Sequence, residues 1–271
     1  MSIRVSFSLV LFRHVLGDIS PLLSSIASLS RFQPHLGIEL CIYNGSGANF
    51  AGPTFSELQA CVPGVTLLYE KGGNIGFGRA NNLNYRQASL SNNDIFIVAN
   101  PDTSFAPSDL VSLLDWLISK PSVACVAPLV IGADGALQHS AKRNPTVLSL
   151  ALGRFPCFAR FQFLRRYDAW HKNLDKNYKT DCFKSPYLSG CFLIIPSHFY
   201  SAVGGFCPRF FLHLEDADLV RRLSSVGETL HNPIGSITHR WARGSHKSLT
   251  QSLHLLRSCI TYFRIWGFTL L

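Results

Sequence analysis

The segment Asn74-Ile75-Gly76-Phe77-Gly78-Arg79-Ala80-Asn81-Asn82 joins two glycines to a run of amides. Glycines let a backbone approach a ligand closely, and a helix that starts just behind such a turn presents free N–H groups to an anion. The segment is neither a P-loop nor the dinucleotide fingerprint, because the later glycine and the Lys-Ser/Thr pair are missing. A glycine turn alone is most often only a turn, but the adjacent amides of Asn81 and Asn82 offer hydrogen bonds to a base, a sugar or a phosphate. Asn100-Pro101-Asp102 places one carboxylate after a strand-like run. Its plain reading is a turn or cap. Its chemical reading is a ligand for Mg2+ or Mn2+ on a diphosphate, since such ions take one or two protein carboxylates and let substrate phosphates complete the shell. Glu215-Asp216-Ala217-Asp218 sets three acids in four residues, in a chain with only 16 acids. Such a cluster complements a helix dipole, and one carboxylate held in a cleft can take a proton from an attacking hydroxyl. Neighbouring helical positions point in different directions, so one acid can face a site while another holds structure. His239 is a lone histidine, more often structural than functional, yet able to complete a metal shell or touch a phosphate.

The elements around these residues alternate between strand and helix. Short apolar runs at 5–12, 38–43, 65–69, 94–99, 123–131 and 187–196 read as strands. Helical spacing is found at 21–29, with Ser20 as cap and Pro21 in the first turn, at 78–89, at 108–119 with Ser108 as cap, at 197–203 and at 214–226. This succession predicts an α/β fold, a mostly parallel sheet with helices on both faces. Ligands of such sheets bind beyond the carboxyl ends of the strands, where the turn at 44–47, the glycine segment at 72–78 and Asn100-Pro101-Asp102 would converge.

Composition narrows the partners. With 47% hydrophobic and 15% charged residues the chain has ample material for a core. The formal charge of +9 implies an anionic partner, but it is concentrated. Residues 140–185 carry 10 basic and 3 acidic side chains, and 240–271 carry 5 basic and none acidic, whereas 1–139 are close to neutral with 7 and 9. That distribution argues against a domain built to coat nucleic acid. The segment 132–185 breaks the α/β pattern with runs such as Arg154-Phe155-Pro156 and Phe163-Leu164-Arg165-Arg166-Tyr167. It reads either as a solvated connection or as a basic–aromatic surface facing phosphate and lipid. The tail mixes Leu253, Leu255, Leu256, Ile260, Tyr262, Phe263, Ile265, Trp266 and Phe268 with Arg257 and Arg264, and suits either a membrane surface or a helix packed on the domain. No run of 18 uncharged apolar residues and no signal-peptide pattern is visible, so the expected place is the cytoplasm, at or near the inner face of the membrane. Eight cysteines without a CxxC pair read as reduced.

Together these motifs resemble a known family. Asn74 to Asn82 is similar to the Asn-x-Gly-Phe-Gly-x-Ala-Asn-Asn signature of the family two glycosyltransferases, in their rhamnosyltransferase-like branch, and Asn100-Pro101-Asp102 to that branch's Asn-Pro-Asp motif. Gly204-Gly205-Phe206, Phe210-Phe211, Glu215-Asp216-Ala217-Asp218-Leu219 and Arg222-Leu223 match its following block, with Ser189-Gly190-Cys191 before it and Pro233 and His239 near its end. The resemblance spans roughly residues 3–248 and implies a GT-A fold with inverting transfer from a nucleotide-diphosphate sugar, with rhamnose from dTDP-rhamnose as the expected donor and a polysaccharide or lipid-linked acceptor of a surface polysaccharide or lipopolysaccharide. It implies Asp216 as base with Glu215 second, Asp102 and His239 at the metal, and a donor pocket shaped by Phe12, Arg13, Tyr43, Asn44, Asn74, Gly76, Phe77, Gly78, Asn82 and Asn100. It also implies a nucleotide-sugar half over about 1–100, a metal and acceptor half over 101–248 that contains the basic insert, and an amphipathic tail over 249–271. Two departures bear on the donor. Tyr43 stands where the family has the Asp of Asp-Asn-Gly-Ser, and Phe12-Arg13 where it has Tyr-Asn. A non-catalytic nucleotide-sugar or glycan-binding module is the alternative reading that these departures would suit.

Overall fold

The computed structural model describes residues 3–154, 160–240 and 249–271. Phe155, Pro156 and Cys157 of the basic insert, and residues 241–248 at the expected domain boundary, lie outside the described residues. Strand β1 (Arg4–Leu11) buries Val5, Phe7, Leu9 and Leu11 on one side, and on the other carries Ser6 and Ser8, equally buried. It pairs in parallel with β2 (Gly37–Asn44) and β4 (Ile95–Ala99), and β2 pairs in parallel with β3 (Thr66–Lys71). Beyond β4 the sheet changes character. The strand β10 (Phe192–Pro196) runs antiparallel between β4 and β6 (Val123–Gly132). Next, β6 pairs in parallel with the long β11 (Glu228–His239), which is flanked antiparallel by β5 (Thr103–Phe105) and β8 (Phe183–Lys184). The nine-stranded sheet is thus parallel through its N-terminal half and mixed beyond it. The strand read at 187–196 divides into β9 (Tyr187–Leu188), which pairs with β7 (Ala141–Lys142), and β10.

Helices cover both faces. On one, α1 (Leu16–Phe32), α2 (Phe55–Cys61) and α4 (Pro107–Ile118) bury Leu22, Ile26, Leu58, Leu110 and Leu113 with the strand residues Phe7, Leu40 and Ile97. On the other, α7 (Ser197–Ala202) and α8 (Glu215–Leu223) bury Tyr200, Leu219 and Leu223 against Phe96, Val98 and Leu193, with α3 (Phe77–Gln87) alongside. Two expected helix starts move. Helix α1 begins a turn before Ser20, because the Asp18 carboxylate accepts the Val15 N–H at 2.9 Å. Pro21 then lies inside the helix, where it cannot donate to the Gly17 carbonyl; the Ser20 hydroxyl donates to that carbonyl instead, at 3.2 Å. In α4, Pro107 takes the first helical position after Ala106, so Ser108 lies within the helix. Helix α2 was invisible to periodicity but carries a capping box in which Thr54 and Glu57 bond reciprocally.

The described residues of the basic insert form regular elements. It contributes β7, α5 (Val147–Arg154) and α6 (Gln162–His171). The tail forms α9 (Leu249–Trp266) and packs on the domain: Tyr262, fully buried, joins Phe210, Leu214 and Ala217 in a small third core. The Ser258 hydroxyl donates to the Leu212 carbonyl at 2.7 Å and Trp266 Nε1 donates to Asp218 at 2.9 Å. The chain end supplies partners for a helix start, with Val147 and Leu148 N–H donating to the carbonyls of Thr269 and Leu270. The packed reading of the tail holds for this face, while Leu253, Leu256, Ile260 and Phe268 remain exposed. No helix among the described residues is long and apolar enough to cross a membrane.

Candidate active site

Four chain segments meet beyond the carboxyl ends of the parallel strands. Gly45 N–H donates to the Leu11 carbonyl, Gly47 N–H to the Gly72 carbonyl, and Arg13 N–H to Ser46 Oγ at 2.7 Å. This sews the end of β1, the turn after β2 and the glycine segment into one rim. Gly76 holds φ at +87°, and a Cβ there would come within 2.5 Å of the Phe211 carbonyl. Only glycine fits that close approach, and it lets Phe77 N–H donate to the same carbonyl at 3.1 Å. The glycine segment is thereby fixed to the residues that lead into Glu215-Asp216.

Asp102 immediately precedes β5 and His239 ends β11, and the two are brought together because Thr103 pairs with His239 across the β5–β11 ladder. Asp102 Oδ1 is 3.3 Å from His239 Nε2. The other side of the imidazole faces Gln138, whose Oε1 is 2.9 Å from Nδ1 and whose Nε2 donates to the His239 carbonyl at 2.9 Å. The carbonyl contact fixes the amide's orientation, so Oε1 must accept and Nδ1 must carry the proton. Nε2 is the nitrogen turned toward the carboxylate, and one imidazole nitrogen with one carboxylate oxygen is a donor set that Mn2+ or Mg2+ accepts. Burial opposes ionisation of Asp102, but its hydrogen bond to His239 and the charges of His239 and His14 outweigh it and hold the carboxyl below its ordinary value. His14 and Gln138 escaped the reading of the sequence. Neither sits in a motif, and each is brought to Asp102 or His239 only by the fold.

The acidic cluster is divided by the helix it starts. Asp216 faces the cleft: its Oδ2 accepts the Gly190 N–H at 2.9 Å and lies 3.5 Å from the Tyr187 hydroxyl, and its Oδ1 accepts the Ala217 N–H. A Cβ on Gly190 would lie 3.0 Å from that of Asp216, which explains the small residue before β10. Asn100 N–H donates to the Cys191 carbonyl at 2.8 Å, so the base candidate and the metal candidate flank the same strand end. Glu215 is 6% exposed with Oε2 unpartnered, and burial, followed by the Asp216 charge, pushes its carboxyl up to about 8. Burial thus disfavours an ionised Glu215, whereas Asp216 is the less buried of the two and faces the cleft. Asp218 is fully buried and bonded to Arg222 Nη2 at 2.7 Å and to Trp266. It anchors the tail.

The donor-side residues divide likewise. Asn74 Oδ1 accepts Gly76 N–H at 3.1 Å and shapes the loop from within. Phe77 packs edge-on against Phe206, and Gly78 lies under the same ring. The amides expected to face a ligand are spent on the scaffold. Asn81 and Asn84 bond Ser8 of β1, and Asn82 bonds Phe206 N–H and carbonyl and the Tyr200 hydroxyl. Asn44 is buried and bonds the Tyr69 hydroxyl and Ser46 N–H. Tyr43 is 4% exposed and donates to the Gly73 carbonyl at 2.8 Å, so it buttresses the glycine segment from beneath. Phe12 is exposed, with the Arg13 guanidinium 5.4 Å from its ring centre. These two form the open side of the rim.

Comparison with known proteins bears on the fold and on the class of relatives. No family model matches the chain. Two curated relatives, from two strains of Mycobacterium tuberculosis and named N-acetylglucosaminyl-diphospho-decaprenol L-rhamnosyltransferase, are each 29% identical over 212 residues, 72% of this chain. The match spans 66% of the relatives' length. Among solved structures, GalNAc-T7 with UDP, GalNAc and Mn2+ superposes with a TM-score of 0.64 at 13% identity, covering 98% of this chain and 48% of that one. The mannosyltransferase PcManGT of Pyrobaculum calidifontis with GDP-Man and Mn2+ gives 0.62 at 14%, covering 97% and 65%. Staphylococcus aureus TarS with UDP gives 0.56 at 11%, covering 87% and 60%. The chain has the GT-A fold. In this chain the glycine rim lies beyond the parallel half of the sheet, and Asp102, His239 and Asp216 lie at the mixed half. The resemblance to rhamnosyltransferase-like glycosyltransferases thus rests on motif order, on a sequence relative of that name and on architecture.

Proposed function

We propose that the protein is an inverting glycosyltransferase that moves a sugar, L-rhamnose from dTDP-rhamnose, onto a polysaccharide or lipid-linked acceptor in surface-glycan synthesis. The observation that carries this reading is the placement of an accessible, hydrogen-bonded Asp216 and the Asp102–His239 pair on two sides of one strand end, beside the glycine rim. Asp216 takes the proton of the acceptor hydroxyl. The acceptor oxygen forms its bond to the anomeric carbon as the bond to the nucleoside diphosphate breaks, with inversion. The Gly190 N–H and the Tyr187 hydroxyl hold the carboxylate in position. Asp102 and His239, oriented by Gln138, would hold Mg2+ or Mn2+, which supplies charge neutralisation of the leaving diphosphate. Single-domain organisation over 1–248 with 249–271 as an appended helix, and peripheral attachment at the membrane's inner face, belong to the same proposal. The exposed Leu253, Leu256 and Ile260 with the basic tail support the attachment.

The deciding experiment is thermal stabilisation by dTDP-, UDP-, GDP- and ADP-sugars with and without Mn2+ or Mg2+, followed by turnover with the nucleotide that binds. A metal-dependent shift with the thymidine donor and release of dTDP in the presence of acceptor is the expected result. A shift without turnover on any acceptor would favour the binding-module alternative, for which Tyr43 in place of the family's Asp is the supporting observation. No shift with any donor would overturn both readings.

A further inference from the structure

Helix α8 is entered through a strained bend. His213 and Leu214 hold φ at +71° and +63°, and Asp216 follows two residues after Leu214. Left-handed backbone is unfavourable for L side chains and persists only where the surroundings over-determine it. Helix α9 supplies that constraint from one side. His254, Ser258, Tyr262 and Trp266 recur every fourth residue and so line one stripe of the helix. Each meets the bend or its flanks, in matching order. The rings of His254 and Phe211 stack with centroids 4.5 Å apart. Ser258 is buried and donates its hydroxyl to the Leu212 carbonyl at 2.7 Å. Tyr262 is buried with Phe210, Leu214 and Ala217. Trp266 Nε1 donates to Asp218 Oδ1 at 2.9 Å, and the Arg221 guanidinium carbon lies 4.3 Å from the Trp266 ring centre. From the other side, Phe77 N–H donates to the Phe211 carbonyl and Gly190 N–H to the Asp216 carboxylate. The segment that aims Asp216 is thus clamped between α9 and the cleft. Apolar packing would be enough to anchor a tail. Hydrogen bonds to the carbonyl ahead of the bend and to the side chain behind it also fix a direction.

Resting on the transferase reading, we infer that α9 serves the reaction itself: Ser258 and Trp266 are positioning residues that hold the left-handed bend, and through it the Asp216 carboxylate, at the reacting end of the cleft. With both ends of the bend held, the first turn of α8 has one direction, and Asp216 Oδ2 stays on the Gly190 N–H. Without them the bend relaxes toward ordinary backbone and the first turn is re-aimed. A reacting group displaced by about 1 Å loses on the order of 10²-fold in rate. The loss falls on proton transfer from the acceptor rather than on nucleotide binding.

The test compares full-length wild type with Ser258→Ala, Trp266→Phe and the double variant. Residue-resolved hydrogen exchange is one readout, and dTDP release from dTDP-rhamnose with Mn2+, with water standing as acceptor, is the other. The Gly190 amide reports the Asp216 carboxylate because it donates to it. In the double variant this amide should exchange about tenfold faster or more, the effect of losing one hydrogen bond to a charged group. The kcat for dTDP release should fall by about tenfold or more, with the KM for dTDP-rhamnose unchanged. Ser258→Thr keeps the hydroxyl and should match wild type in both readouts. Leu29→Ala, in the buried face of α1, lowers Tm through the cavity it leaves but should leave Gly190 exchange and kcat at wild-type values. Unchanged Gly190 exchange in the double variant would reduce α9 to a packed tail and overturn the inference. Equal acceleration in Leu29→Ala would assign the effect to general stability and overturn it as well. So would an unaltered kcat beside a freed Gly190 amide. A wild type that neither gains stability from dTDP-rhamnose with Mn2+ nor releases dTDP would sink the transferase reading instead, and the Gly190 rates would still decide whether α9 holds Asp216.

Discussion

Replacing Glu215 with glutamine tests the division of labour within the acidic cluster. The Glu215 carboxyl is buried with an unpartnered oxygen, and burial together with the Asp216 charge raises it from 4.5 to about 8. The unfolded chain releases this proton near 4.5, whereas the folded chain keeps it until about 8. Over that window the folded state binds one more proton, so its stability advantage is full below 4.5 and is lost as pH rises through 8. One proton corresponds to about 1.4 kcal/mol per pH unit, a ceiling of roughly 5 kcal/mol over the window. Relaxation and water entry around the ionised carboxylate bring the expectation to roughly 2–3 kcal/mol. Glutamine keeps the shape and never ionises, so Glu215→Gln should be spared this loss. At ~2–4 °C per kcal/mol for a chain of this size, wild type should lose roughly 4–12 °C in Tm relative to the variant between acidic and alkaline buffer. Scanning calorimetry of both proteins at half-unit pH steps measures it. Parallel Tm profiles would refute a buried, protonated Glu215, and with it the reason for preferring Asp216 as base.

Asp216→Asn should lower turnover by about 10²–10⁴-fold, the usual contribution of a general base, while nucleotide-sugar affinity measured by calorimetry stays near wild type; near-normal turnover would remove Asp216 from that role. Gln138→Leu should weaken Mn2+-dependent nucleotide binding by roughly tenfold, because the imidazole of His239 loses the partner that sets its tautomer; equal metal dependence in variant and wild type would sink the Gln138 argument. Tyr262→Ala should cost about 3–5 kcal/mol through the cavity it leaves under α9, read as a lowered Tm, whereas Phe268→Ser at an exposed site should stay within about 0.5 kcal/mol. Serine at Leu253, Leu256 and Ile260 together should reduce sedimentation with anionic phospholipid vesicles without lowering Tm; undiminished sedimentation would argue against this face as the membrane contact.

Much of the fold was legible in the chain. Strand β1, the leucine face of α4 and the order of α/β elements follow from local period and turn chemistry, and motif order alone pointed to the GT-A class. Asp102 and Asp216 were recognisable because each sits in a short motif at an element end, where backbone geometry and chemistry coincide. What the sequence could not show is how side chains are spent. Asn81 and Asn82 look like ligand donors in one dimension, but burial beside Ser8 and Phe206 obliges their amides to satisfy the scaffold. Glu215, Asp216 and Asp218 are three similar letters, and only packing makes one a protonated core residue, one an accessible carboxylate and one an anchor for Trp266. Gln138 and His14 meet the Asp102–His239 pair across long sequence separations, and Lys142 and His171 share a cavity wall through the pairing of β7 with β9 and the docking of α6. Local periodicity fixes an element's type because it depends on neighbours in the chain. Desolvation and partner choice depend on neighbours in space, and tertiary structure alone assigns those.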